Sequence, residues 1–125
     1  MAIQLYNRWD LVVLPYPLAG ASGEIGARRR PGLIVSSDSL QRDTGLYWVL
    51  MVTSLGTADE KTGPESRHPA DVVIEDWEAA GLPVPSLVRT TKILTVQARQ
   101  IIRPLGQLST ADQSRTVLEL SRFIG

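Results

Sequence analysis

Arg28, Arg29 and Arg30 stand in a row before Pro31, where the glycine-rich stretch Ala19 to Ala27 gives way to the apolar run Leu33-Ile34-Val35. A planar guanidinium meets phosphate oxygens two at a time, and proline holds the residue before it in an extended backbone. Arg30 is therefore presented on a rigid support beside a small-residue loop, a natural place to hold an anion. A basic turn that only keeps the loop soluble would have the same composition. Other reactive types are scarce: one histidine, His68, and no cysteine. That content excludes a histidine acid/base pair, a thiolate metal site and disulfides, and it fits a reducing compartment. His68 reads as a solvated loop residue. Asp71, Glu75, Asp76 and Glu78 lack the glycine-punctuated spacing of a calcium loop and read as a solvated acidic face. No phosphate-binding glycine loop ending in Lys-Ser/Thr and no Gly-x-Ser-x-Gly elbow occurs, so nucleotide hydrolysis and the common serine-hydrolase arrangement have no support.

The elements that must position these side chains are mostly short strands. Leu11 to Leu14 reads as a first strand, closed by Pro15-Tyr16-Pro17, since proline cannot continue a ladder. Leu33 to Val35 gives a second and Leu46 to Thr53 a third, central one. Gly56 to Ala70 has almost no large apolar side chain and reads as a surface loop. Asp71 to Ile74 resumes a strand, and Glu75 to Gly81 a single helical turn stopped by Gly81. Residues 86–90 and 92–95 form two strands or one bent one, and Ile101 to Leu105 an edge strand marked by its proline. Ser109 is placed as an N-cap, with Asp112 in the first turn and Val117, Leu120 and Ile124 on one face of a C-terminal helix. Many short strands with one terminal helix, and no strand-helix-strand alternation, predict a mainly β fold: a small, strongly bent sheet or barrel.

At 125 residues and 43% hydrophobic content, residues 1–125 are expected to be a single domain with its own core. The N-terminus carries no secretory pattern, and the apolar stretch Leu46 to Leu55 is too short to span a bilayer as a helix, so a cytoplasmic protein is expected. The formal net charge of zero argues against the overall basic field of a nucleic-acid coat protein, but it hides a division. Residues 59–78 carry seven acids against two bases, and the remainder eleven bases against six acids. Eleven of the thirteen bases are arginine, which suits phosphate and is equally what genomic codon bias would produce.

Five blocks, taken in order, carry a resemblance: Arg8-Trp9-Asp10-Leu11-Val12-Val13-Leu14-Pro15-Tyr16-Pro17, then Arg29-Arg30-Pro31-Gly32-Leu33-Ile34-Val35-Ser36-Ser37, then Val52-Thr53-Ser54, then Ser86-Leu87-Val88-Arg89-Thr90-Thr91-Lys92-Ile93, and Ile102-Arg103-Pro104-Leu105-Gly106-Gln107-Leu108. Together they resemble the MazF/PemK family of toxin endoribonucleases of type II toxin-antitoxin systems. The resemblance implies a CcdB/MazF-type fold, an SH3-like, strongly curved β-barrel with short helices, and a homodimer whose groove takes single-stranded RNA or the tail of a cognate antitoxin. It implies metal-independent cleavage of mRNA to 2′,3′-cyclic phosphate and 5′-hydroxyl ends, with no cofactor. On it Arg30 matches the catalytic arginine and Thr53 the catalytic threonine, with Glu24 a candidate for taking the attacking proton. Arg28 and Arg29 would attract RNA in general, while Tyr16, Arg89, Lys92 and Trp9 are candidates to contact it. Trp48 reads as a packing residue and Trp9 as either.

Three departures from the family pattern stand out. Trp9 fills the glycine of the usual Arg-Gly-Asp or Arg-Gly-Glu block, Glu24 matches the family's glutamate only approximately, and Leu94 and Val96 stand where relatives often carry Arg and Asp. Two alternatives follow: a non-catalytic CcdB-like toxin that binds DNA gyrase, and an inactive barrel that only binds RNA or antitoxin.

Overall fold

Apolar runs without polar alternation make strands that are covered on both faces. The computed structural model describes residues 5–19, 25–63 and 66–124, with side chains placed for all but 17–19 and 25–27. Six strands, β1 (Asp10–Ala19), β2 (Ile25–Ile34), β3 (Leu46–Ser54), β4 (Asp71–Val73), β5 (Ser86–Gln97) and β6 (Arg103–Gln107), form one antiparallel sheet in the order β4-β5-β3-β2-β1-β6. Leu11, Leu33 and Leu50 share one row across β1, β2 and β3, and Val12, Gly32 and Met51 share the next. Successive rows face opposite sides, so each feeds a different core. One core holds Leu11, Leu33, Leu50, Val52 and Val88 together with Ile74, Leu82 and Leu108 from both ends of the sheet order, so the sheet curls around it. The other holds Val12, Leu14, Tyr16, Ile34, Tyr47, Val49 and Met51. Each fully buried Leu, Ile or Val contributes about 1.5–3 kcal/mol, which makes these two clusters the main stabilising term.

Among the described residues the curl does not close by a ladder. Instead the turn after β4 lies directly against β6: a Cβ at Gly81 would collide with the carbonyl of Leu105, and one at Gly106 with that of Ala80. The turn is built as the sequence predicts. Ala80 N–H donates to Asp76 O and Leu82 N–H to Trp77 O, both at 3.0 Å, and Gly81 ends the turn in the left-handed region at φ 87°. Its start is held by the terminal helix. Ser109 Oγ accepts from Asp112 N–H at 3.2 Å as the N-cap of α3 (Thr110–Ile124). The buried Asp112 carboxylate accepts from the N–H groups of Glu75 (3.1 Å) and Asp76 (3.0 Å) and from Arg115.

Four expectations change. First, β1 continues through Pro15 and Pro17, paired with Arg29 and Ala27 of a β2 that begins at Ile25 rather than Leu33 and so takes the end of the expected loop 19–27. The carbonyl of Val13 accepts from Ile102 N–H at 2.7 Å, so residues of that parity turn their amides toward β6, whose ladder ends at Val13. The two prolines therefore lack donors only where no partner strand needs them. Second, residues 86–97 form one strand with a register irregularity, since Leu50 faces Ile93 but Met51 faces Arg89. Third, two short helices, α1 (Asp38–Thr44) and α2 (Leu55–Glu60), lie in segments without helical periodicity; α2 takes the first part of the supposed loop 56–70, capped by Ser54. Fourth, Trp48 is 45% exposed rather than buried. Among the described residues no helix is long and apolar enough to cross a membrane.

Candidate active site

Pro31 shapes the site twice. It holds Arg30 extended, and it has no N–H to give, so the β2–β3 ladder ends at the Gly32–Met51 rung and the two strands part. Into the gap face Arg30 from β2 and Thr53 from β3, which line one cavity of about 220 Å³ with Arg28, Ser54 and Ser86. Arg30 is half-buried and Arg28 and Arg29 are exposed. Thr53 is nearly buried, and its hydroxyl is engaged by no described residue. Ser54 Oγ is committed to Thr57, and Ser86 Oγ donates to Val84 O at 2.8 Å. On the other side of β2 a cavity of about 410 Å³ holds Arg29 and Arg103, and Arg30 borders it too. Arg28, Arg29 and Arg30 thus sit together on β2, and a fourth guanidinium-bearing residue, Arg103 of β6, shares the second cavity with Arg29 and Arg30.

Tyr16 sits opposite Arg28 and on the same strand face as Arg30. Its hydroxyl leans back toward Gly32, 3.3 Å from where a Cβ there would stand; that Cβ would also lie 2.7 Å from Leu14 Cδ2 and collide with Val49. Only glycine leaves the room. Burial pushes the Tyr16 phenol well above the ordinary tyrosine range, and the nearby Arg30 charge opposes the shift without cancelling it.

Of the residues singled out from the sequence, Arg28, Arg30 and Thr53 come together and Arg29 lies just behind them. Tyr16 is 7% exposed, so its ring is not available for stacking on a base. Arg89 is removed from the RNA-contact candidates: it is 2% exposed, 3.3 Å from Asp71 Oδ2, and donates to Ser66 O at 2.9 Å. An arginine so placed ties the segment before β4 to β5. Lys92 is exposed but lines neither cavity. Glu24 lies outside the described residues. Trp9 has φ 75° and is partly buried against the first core, with the Arg8 guanidinium 4.7 Å from its ring centre. The glycine that the resemblance expects at this position would meet this left-handed backbone without strain. Val96 belongs to the second core and Leu94 packs against it. Sequence reasoning missed Ser54, Ser86 and Arg103 as lining residues. Arg103-Pro104 repeats the Arg30-Pro31 pair and could have been noticed. Among the described residues no three His, Cys, Asp or Glu side chains gather as a metal cage.

A family model described as PemK-like, MazF-like toxin of type II toxin-antitoxin system matches residues 7–124. No curated protein matches the sequence. Among solved structures, MazF (Form-I) from Deinococcus radiodurans is similar with a TM-score of 0.68 at 22% identity, over 98% of each chain. An endoribonuclease in complex with its cognate antitoxin from Mycobacterial species has a TM-score of 0.67 at 20% identity, over 97% of this chain and 96% of the other. The Mycobacterium tuberculosis toxin MazF-mt6 has a TM-score of 0.61 at 16% identity, over 90% and 95%. At these identities the structural likeness concerns the fold, which is the curled sheet with short helices and a C-terminal helix described above.

Proposed function

Given that the chain belongs to the PemK-like, MazF-like toxins of type II toxin-antitoxin systems, we propose that it is an endoribonuclease that cuts single-stranded RNA without a metal ion and is silenced by a cognate antitoxin. The observation that carries this reading is the meeting of Arg30 and Thr53 in one cavity, with Arg28 at its rim. Attack of a ribose 2′-hydroxyl on the adjacent phosphorus expels the 5′-oxygen and leaves a 2′,3′-cyclic phosphate and a 5′-hydroxyl. Negative charge grows on the non-bridging oxygens in the transition state. A guanidinium held on a rigid strand stabilises that charge with two parallel hydrogen bonds and little reorganisation. A guanidinium offers N–H donors and no acceptor, so Arg30 acts by charge and hydrogen bonding rather than as a base. The Thr53 hydroxyl orients the phosphate or the 2′-hydroxyl.

The fold-related endoribonuclease solved with its cognate antitoxin supports a protein partner for this chain as well. An antitoxin segment that covers the arginine-lined cavities would exclude RNA, and a symmetric homodimer would extend the groove. On this reading the protein acts in the cytoplasm, where mRNA is available to it. Incubating the purified protein with a long single-stranded RNA in excess EDTA tests the reading: discrete fragments with 5′-hydroxyl ends are expected. Intact RNA would return the fold to a binding role, on gyrase, RNA or antitoxin alone, and cutting only after added magnesium would overturn the mechanism.

A further inference from the structure

Three buried side-chain polar atoms among the described residues have no hydrogen-bond partner: Tyr16 Oη, Arg30 Nε and Asp71 Oδ1. Two of the three belong to neighbours on one sheet face. One is a donor with nothing to donate to, and the other can accept. Buried polar groups are rarely left without a partner, so a donor and an acceptor orphaned on the same sheet face call for an explanation. Tyr16 is held at both ends: its ring packs in the second core and its hydroxyl lies over Gly32, 3.3 Å from where a Cβ there would stand. Arg30 is the member of the pair with space beside it, half-buried and bordering cavities on both sides of its strand.

We propose that Tyr16 is the positioning residue for Arg30: when the Nη groups of Arg30 engage a phosphate, Nε–H donates to Tyr16 Oη, fixing the guanidinium plane across the cavity. The inference rests on Arg30 being the phosphate-binding residue of the nuclease proposed above. The phenol serves as an acceptor and not as a base, because burial holds its proton. A fork anchored at Nε keeps both Nη groups for the ligand, which an unanchored guanidinium would present in many orientations.

Tyr16→Phe keeps the ring and its packing and deletes only the oxygen. Single-turnover cleavage should fall about tenfold or more, the loss expected for one hydrogen bond to a charged group, and affinity for a non-cleavable 2′-O-methyl RNA should fall by less than that, because the bond forms on binding but matters most for orienting the fork in the transition state. Added to Arg30→Lys, which has no Nε–H in that place, Tyr16→Phe should cause no further loss. The Arg30 Nε–H proton resonance, assigned by its absence in Arg30→Lys, should move downfield when 2′-O-methyl RNA binds the native protein and should not do so in Tyr16→Phe. A cleavage rate within twofold of native, or the same resonance shift without the hydroxyl, overturns the positioning role. Full activity of Arg30→Ala overturns the nuclease reading of Arg30 and this inference with it. Inactive Arg30→Ala beside unimpaired Tyr16→Phe removes only the role of Tyr16.

Discussion

Arg30 and Thr53 stand opposite each other in a register that is no longer paired. Continued two residues past its last rung at Gly32 and Met51, the β2–β3 ladder would set them face to face, and the cavity occupies the space where that rung is missing. The site is thus the place where a sheet stops, and Pro31 stops it.

Arg30→Ala is expected to lose at least about a hundredfold in single-turnover cleavage, as deletion of a preorganised charge-stabilising donor does, with a much smaller loss in RNA binding. Arg30→Lys should also be poor because an ammonium keeps charge but not the fork. Arg28→Ala and Arg29→Ala should weaken affinity modestly and flatten its salt dependence. Equal, small losses at all three arginines would reduce the cluster to a basic turn.

Thr53→Val conserves shape on a nearly buried strand position and removes a hydroxyl that no described residue uses. Its melting temperature should stay near native while cleavage slows. Unchanged cleavage would exclude Thr53 from the chemistry.

Trp9 inverts the usual ranking of alanine and glycine. Both substitutions discard the indole packing, but only glycine relieves the left-handed backbone at φ 75°. Trp9→Gly should therefore be more stable than Trp9→Ala by about 1 kcal/mol in urea unfolding. The opposite order would mean that the segment relaxes once the ring is gone.

Tyr16 also gives a signature at high pH. Its phenol ionises later in the folded protein than in the unfolded chain, so its contribution to stability is intact below the ordinary tyrosine pKa of about 10 and is lost as pH rises beyond it. Melting temperatures compared at pH 9 and pH 11 should fall further in the native protein than in Tyr16→Phe. Parallel declines would show that the phenol is solvated at both pH values.

The strands were legible because burial on both faces writes itself as unbroken apolar runs at 11–14, 33–35 and 49–52. The capping of α3 was legible because Ser109 and Asp112 lie one turn apart. What escaped the sequence depended on partners far along the chain. The continuation of β1 through two prolines turns on where β6 stops. Arg89 resembles a surface ligand until Asp71 is found beside it, and α1 and α2 bury too little to leave a pattern. The same limit applied to the site. The Arg30-Pro31 pair could be read as an anion holder, yet nothing local shows that Thr53 faces it or that Tyr16 lies across it.

The Asp112 carboxylate has a consequence for how the molecule comes apart. It is the bolt between the first turn of α3 and the turn that shuts β4 against β6, so those segments must open as one cooperative unit rather than fray separately. A protease nick between β6 and the helix would do more than release a tail. It would free two sheet edges at once, exposing a row of unpaired strand amides to the next molecule and turning a local cut into a seed for aggregation.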